Sequence, residues 1–283
     1  MVMASSDLAV DNASGVSILL GTGKYLAPFT AGTNIALPGA ACLITGDLNG
    51  DGIPDLLVPV NGTSLAVNAY LGNGDGTFTL KSTTPTSSGG YLALGDFNHD
   101  GKLDLVSSGN LIALGNGDGT FQNPTTIVSS SPGFSGIAVG DINDINNDGW
   151  PDLVLTTDDY VVITVLLNNQ QGGFTQAATT FGQYSGQPIL TDLNGDGNLD
   201  LIYGMPGGSG AFVYVGDGMG TFTYQAGLSG LLGTGGSNCV ADVNGDGIPD
   251  IFDFGIRHAI YLPWRRRRDL RGPRQHRYRP VPR

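Results

Sequence analysis

Residues 47–55 read DLNGDGIPD, and their pattern, D-x-N-x-D-G-x-x-D, returns as DFNHDGKLD at 96–104, DINNDGWPD at 144–152, DLNGDGNLD at 192–200 and DVNGDGIPD at 242–250. Oxygen side chains at positions 1, 3, 5 and 9, with a glycine at 6 for a sharp turn, are what a hard divalent cation asks of a loop. In the first copy Asp47, Asn49 and Asp51 offer side-chain oxygens, Ile53 a backbone carbonyl and Asp55 a closing carboxylate. The equivalent sets are Asp96, Asn98, Asp100, Lys102 and Asp104; Asp144, Asn146, Asp148, Trp150 and Asp152; Asp192, Asn194, Asp196, Asn198 and Asp200; and Asp242, Asn244, Asp246, Ile248 and Asp250. Position 7 varies freely, as a residue giving only its carbonyl would. Carboxylates packed this closely repel one another at neutral pH unless a cation sits between them. Plain turns account for the Gly and Asn but not for the fixed Asp at position 9. The pattern predicts up to five structural Ca²⁺ ions.

The flanks decide what kind of loop this is. A helix-flanked calcium loop would close with an acid at position 12. Here position 9 opens apolar, β-branched runs instead: DLLVPV at 55–60, DLVSS at 104–108, DLVLTT at 152–157, DLIYG at 200–204 and DIFDF at 250–254. Matching runs lie upstream, ACLIT at 41–45 and YLALG at 91–95, so each loop reads as a hairpin turn between strands A and B. A third strand, C, follows (LAVNAYL at 65–71, VVITVLL at 161–167, AFVYV at 211–215). Then comes a Gly-rich turn to strand D: GNGDGTF at 72–78 and 115–121, NNQQGGF at 168–174, GDGMGTF at 216–222. Asp75, Asp118 and Asp217 in these turns are read as turn formers.

The closing Asp falls at 55, 104, 152, 200 and 250, intervals of 49, 48, 48 and 50 residues, and 48 residues before Asp55 stands Asp7, in DLAV. Asp7 therefore heads strand B of an earlier repeat that lacks its Asp loop. Four antiparallel strands recurring at this period predict an all-β fold, a β-propeller of about five to six four-stranded blades; the strand count, short of six full blades, leaves either a ring that closes imperfectly or part of a larger propeller. The repeats run near 7–40, 41–90, 91–135, 136–187, 188–237 and 238–262, together forming one domain over 1–262. In the third loop, GDINDINNDG at 140–149, Asp144 keeps the period, so 141–143 reads as an insertion, with Asp141 an alternative ligand. His99, at a variable loop position, is expected to face solvent.

Composition supports this reading. All 25 acids are Asp, Lys occurs only at 24, 81 and 102, and 46 of 283 residues are Gly, which leaves few helix formers. Residues 1–256 carry 24 Asp against three Lys, a net −21, whereas 257–283 carry ten Arg against one Asp, a net +9. Bound cations would cancel much of the first segment's self-repulsion. Cys42 and Cys239, nearly 200 residues apart, are read as small core residues. The longest mainly apolar run, 161–167, is far too short to span a bilayer, so no membrane span is expected. The first ten residues, MVMASSDLAV, lack the basic and long apolar regions of a secretion signal.

GDLNGDGIPDLLV at 46–58, GDFNHDGKLDLV at 95–106 and YLGNGDGTF at 70–78, with their later counterparts, resemble FG-GAP, or VCBS-type, repeats over about residues 7–262. These repeats build the calcium-binding propeller of integrin alpha subunits and of many bacterial surface proteins. The resemblance implies an extracellular, cell-surface or periplasmic binding or adhesion module, with Ca²⁺ on one face and a protein or carbohydrate ligand on the other. It carries over the five Asp loops alone; the chain has no RGD motif. After Leu262 the pattern gives way to PWRRRRDLRGPRQHRYRPVPR, an Arg/Pro-rich tail over 263–283 expected to be disordered. Codons for residues 264–270 can be chosen so that reading one base later spells Gly-Asp-Gly-Asp-Gly-Thr, the missing turn. A frame shift near Pro263 is the simplest reading, and no nucleic-acid partner is expected. The alternatives are the propeller of a secreted carbohydrate- or phosphoester-cleaving enzyme, or a truncated gene product without intact function. Against an enzyme, Glu is absent, His occurs only at 99, 258 and 276, and neither G-x-S-x-G nor H-E-x-x-H appears.

Overall fold

The computed structural model describes residues 7–12, 14–22, 29–37, 42–61, 65–87, 90–128, 134–142, 149–157, 162–181, 187–204, 210–229, 237–242, 247, 249–254 and 259–262. The basic tail lies outside them. The described secondary structure is all strand, arranged as six antiparallel meanders. The first sheet has three strands, β1 (Leu8–Asn12), β2 (Gly15–Gly21) and β3 (Phe29–Ala36). The second has β4 (Ile44–Gly46), β5 (Asp55–Val60), β6 (Ala66–Gly72) and β7 (Phe78–Pro85). The third has β8 (Leu92–Gly95), β9 (Asp104–Ser107), β10 (Leu111–Ala113) and β11 (Thr125–Thr126). The fourth has β12 (Gly136–Gly140), β13 (Asp152–Thr156), β14 (Val162–Asn168) and β15 (Phe174–Phe181). The fifth has β16 (Pro188–Thr191), β17 (Asp200–Gly204), β18 (Gly210–Gly216) and β19 (Phe222–Ser229). The sixth has β20 (Ser237–Ala241), β21 (Asp250–Phe254) and β22 (Ala259–Leu262). Two compact units divide the chain, Met1–Gly133 and Phe134–Arg283.

Within a sheet, burial follows strand position. The B strands β5, β9 and β13 are buried on both faces, whereas β1, the B strand of the first repeat, exposes Leu8 and Val10, and β7, a D strand, is largely exposed. Side chains of successive residues point to opposite faces of a strand, and here both faces are packed. In the first unit, Leu56 and Val58 pack with Val16 and Ile18 of the first sheet, while Leu57 packs with Leu92 and Leu105 of the third. In the second unit, Leu201 and Tyr203 pack with Val154 and Ile163, while Ile202 packs with Ile251. That double burial explains why the B strands read as unbroken apolar runs rather than alternating ones.

The turns from strand C to strand D join neighbouring sheets. A Cβ on Gly76 would lie 2.3 Å from Leu20 Cδ2, one on Gly119 2.7 Å from Leu71 Cδ2, and one on Gly220 3.4 Å from Leu167 Cδ1. The three leucines sit at matching places near the ends of β2, β6 and β14. Each glycine also has φ between +83° and +87°, a backbone twist that favours glycine at all three, and at Gly76 and Gly119 the close approach adds to it. In the first unit the Gly119 amide also donates to the Leu48 carbonyl at 3.3 Å, and the Ser82 hydroxyl to the Gly119 carbonyl at 2.7 Å. Besides connecting strands C and D, these turns pin one sheet to the next. Cys42 lies just before β4, and its thiol donates to the Gly90 carbonyl at 3.3 Å.

Candidate metal centre

The Asp loops lie between strands A and B, and in the first, second and fourth, which are described throughout, the backbone folds round the position-1 carboxylate. In the first loop Asp47 Oδ2 accepts the Gly52 amide at 2.9 Å, and Oδ1 accepts those of Gly50 at 2.8 Å and Asp51 at 3.2 Å. Asn49 Oδ1 takes the Asp51 amide at 3.0 Å, and Asp51 Oδ1 the Ile53 amide at 2.8 Å. The Gly52 bond above all, with those of Gly50 and Asp51, holds the Asp47 carboxyl below its ordinary range. The second and fourth loops repeat the scheme: Gly101 donates to Asp96 Oδ2 at 2.8 Å and Gly197 to Asp192 Oδ2 at 3.0 Å. Asp100 and Asp196 accept the amides of Lys102 and Asn198. In the fifth, Gly247 donates to Asp242 Oδ2 at 2.8 Å; Asn244, Asp246 and Ile248 lie outside the described residues.

The third loop differs in register. Asp144, Asn146 and Asp148 lie outside the described residues. Among the described ones, Asp141 follows the last residue of its A strand as Asp47 does, and its Oδ2 accepts the Gly149 amide at 3.0 Å. The Ile142 amide bonds Asp152 as the Leu48 amide bonds Asp55. The extra residues thus enter after the first Asp, and Asp141 takes the place that Asp47 holds.

Position 9 does more than close a ligand set. Asp55, Asp104, Asp152, Asp200 and Asp250 are fully buried. Asp55 accepts the Leu48 amide on Oδ2 and the Gly72 amide on Oδ1, both at 2.8 Å. Asp104 takes Phe97 at 2.9 Å and Gly115 at 2.8 Å; Asp200 takes Leu193 at 2.9 Å and Gly216 at 3.0 Å. Asp152 takes Ile142 and Asn168, both at 2.8 Å. One carboxylate therefore clamps the second residue of its loop to the start of the C–D turn. Even Asp7 keeps half of this clamp, accepting the Gly21 amide at 2.8 Å.

The clamp also explains the glycine that opens most C–D turns. A Cβ on Gly216 would lie 2.1 Å from the Leu199 carbonyl oxygen, and Gly72 and Gly115 come equally close to Pro54 and Leu103. Replacing Gly216 by Ala should cost about 1–3 kcal/mol through forced backbone shifts, measured by urea unfolding. In the fourth sheet Asn168 stands there, and its Nδ2 donates to the matching carbonyl, Pro151, at 3.3 Å.

Burial pushes the Asp55, Asp104 and Asp200 carboxyls up, against the pull of their two amides. Repulsion from the position-5 and position-1 carboxylates of the same loop adds to the rise. The acids are thus close enough to feel one another. Among the described residues no three His, Cys, Asp or Glu side chains group as they would around a metal ion, and both oxygens of position 9 accept backbone amides. The donor set is nonetheless all oxygen, and an amide occupies only one of the two lone pairs of each carboxylate oxygen it bonds.

Position 7 is less indifferent than the sequence suggested. Ile53 lies against Gly74, the Lys102 stem against Gly117 and the Asn198 amide against Gly218, so this side chain covers the neighbouring turn. Asp75, Asp118 and Asp217 are turn formers, accepting the amides of Thr77, Thr120 and Thr221. His99 is exposed, with φ of 54° where the first and fourth loops carry Gly50 and Gly195 at similar φ. His99→Gly should stabilise the protein by about 1 kcal/mol by removing this left-handed strain, read as a raised thermal midpoint.

Several solved structures share this arrangement of sheets. An Agrocybe aegerita lectin, whose structure concerns specific recognition of non-reducing terminal N-acetylglucosamine, superposes with a TM-score of 0.62 at 22% identity, covering 91% of this chain and 73% of its own. A Bacteroides uniformis protein provisionally assigned as a 6-phosphogluconolactonase gives 0.58 at 14% identity, over 88% of this chain and 74% of its own. A Bacteroides fragilis protein with the same provisional assignment gives 0.58 at 15%, over 89% and 73%. The fold is a β-propeller. No curated protein sequence matches the chain. The FG-GAP-like repeat model matches residues 47–107, 144–203 and 192–252. Because those matches span more than half of its length and coincide with the Asp-loop hairpins, the chain belongs to the FG-GAP-like repeat family.

Proposed function

We propose that this protein is a calcium-stabilised, non-catalytic binding module working outside the cytosol, at a cell surface or in a periplasm. The observation that carries the reading is the fivefold all-oxygen donor set on a fold that repeats with it. Asp47, Asn49 and Asp51, with the Ile53 carbonyl and Asp55 closing the set, would hold one ion; the second, fourth and fifth loops would do so in the same way, and the third would use Asp141 or Asp144 as its first ligand. The ion's contribution is charge neutralisation of crowded carboxylates. Everything else the loops need is supplied by their own amides. Calcium at millimolar concentration suits such loops, because extracellular modules bind it with Kd of about 10⁻⁴–10⁻³ M.

The recognition surface is assigned to the opposite ends of the sheets, where strands B join C and strands D join the next A. Stretches such as 82–90, 124–135 and 204–210 there are rich in Ser, Thr, Gly and Pro, and some of these residues lie outside the described ones. Loops on a rigid scaffold commonly carry recognition. A lectin of the same fold makes carbohydrate the first ligand class to test, with protein the second. A glycan array probed in Ca²⁺ and in chelator is expected to give calcium-dependent retention on a defined glycan class. Turnover of a polysaccharide or phosphoester by the purified protein would refute the non-catalytic reading. Among the described residues no helix is long and apolar enough to cross a membrane.

A further inference from the structure

We propose that the second Asp loop carries its own counter-ion. Lys102 neutralises it in part, so that it binds Ca²⁺ more weakly than the first and fourth loops and keeps its form best when Ca²⁺ is withdrawn. This inference rests on the reading of the loops as calcium sites. Of the five position-7 residues, Ile53, Lys102, Trp150, Asn198 and Ile248, Lys102 alone is cationic. Its Nζ lies 3.5 Å from Asp100 Oδ2, the position-5 carboxylate. The stem is held in place: a Cβ on Gly117 would lie 2.9 Å from Lys102 Cδ and 3.0 Å from Cγ, so the aliphatic chain runs across the turn and delivers the ammonium to the loop. In the first loop Ile53 takes the same path across Gly74 and brings no charge. In the turn that the Lys102 stem crosses, Lys81 Nζ sits 3.4 Å from Asp118 Oδ2, so Asp118 adds little net negative charge beside the loop.

A fixed positive charge beside a cation site opposes a divalent ion by Coulomb repulsion. Both partners are partly exposed, so water and salt screen most of it, leaving a difference of roughly three- to tenfold in affinity. When Ca²⁺ is absent the ammonium attracts the same carboxylate and steadies the loop. Lys102 therefore trades calcium affinity for calcium independence at this loop.

Position-6 glycines report each loop separately, because Gly52, Gly101 and Gly197 donate to the position-1 carboxylates. Their amide resonances, followed by ¹⁵N NMR during a Ca²⁺ titration of the full chain, should show a Gly101 midpoint at roughly three- to tenfold higher Ca²⁺ than those of Gly52 and Gly197. In Lys102→Ile, the residue the first loop uses, the Gly101 midpoint should fall to join the others, while Gly52 and Gly197 stay where they were. Lys102→Arg keeps the charge and should keep the lag. Superimposable Gly101 curves in wild type and Lys102→Ile, with calcium bound elsewhere, would overturn the proposal and leave the calcium reading intact. No response of any loop glycine in either protein would overturn both.

Discussion

Replacing Asp200 by Ala should destabilise the protein by about 2–4 kcal/mol even in excess chelator. Its carboxylate is fully buried and accepts two buried amides, Leu193 and Gly216. Removing it orphans both, at about 1–3 kcal/mol each. Part of that is recovered, because a buried charge whose carboxyl is pushed up by desolvation no longer has to be kept ionised. Against a typical net stability of about 5–15 kcal/mol, such a loss is large. Asp118→Ala, in an exposed turn, should change stability far less. Urea unfolding in chelator measures both. An Asp200→Ala midpoint equal to wild type would mean that the clamp carries no weight. In Ca²⁺ the Asp200 variant should lose more than in chelator, because the closing ligand goes as well as the clamp.

Much of the fold is legible in the sequence because the repeat shows strand order, loop position and period at once. Stepping back 48 residues from Asp55 finds Asp7, and the structure gives Asp7 the half-clamp to Gly21 that a strand B opening predicts. Positions 1, 3, 5 and 6 are legible too, since a ligand loop and an amide-wrapped turn ask for the same Asp, Asn and Gly. The role of position 9 is not, for the same reason in reverse. One letter, Asp, serves as ion ligand and as buried acceptor, and only a partner tells them apart. The partner left a signal in the Gly that opens the C–D turn, 17 residues after Asp55 and 16 after Asp200. In the third sheet that spacing falls to 11 because β9, its connection and β10 are all shorter than their counterparts in the second sheet, which hides the pairing. Asp141 was obscured by the period itself. Asp144 keeps the 48-residue step, whereas strand register follows the pairing of Gly140 with Asp152.

Withdrawing Ca²⁺ is the other large perturbation. At millimolar Ca²⁺ and a Kd of about 10⁻⁴–10⁻³ M, each site contributes roughly 0.4–1.4 kcal/mol, and five give about 2–7 kcal/mol. At roughly 2–3 °C per kcal/mol for a chain of this size, chelation should lower the unfolding midpoint by about 5–20 °C. Loops so well wrapped by their own amides offer a sharp alternative, since Asp and Asn turns can be self-sufficient. Thermal unfolding of the full chain in chelator and across a Ca²⁺ series, with Mg²⁺ as the control cation, separates the two most directly. The calcium account predicts a midpoint that climbs steadily with Ca²⁺ and moves little with Mg²⁺. One unchanged, cooperative midpoint in chelator and in saturating Ca²⁺ would contradict it and leave the five loops as turns.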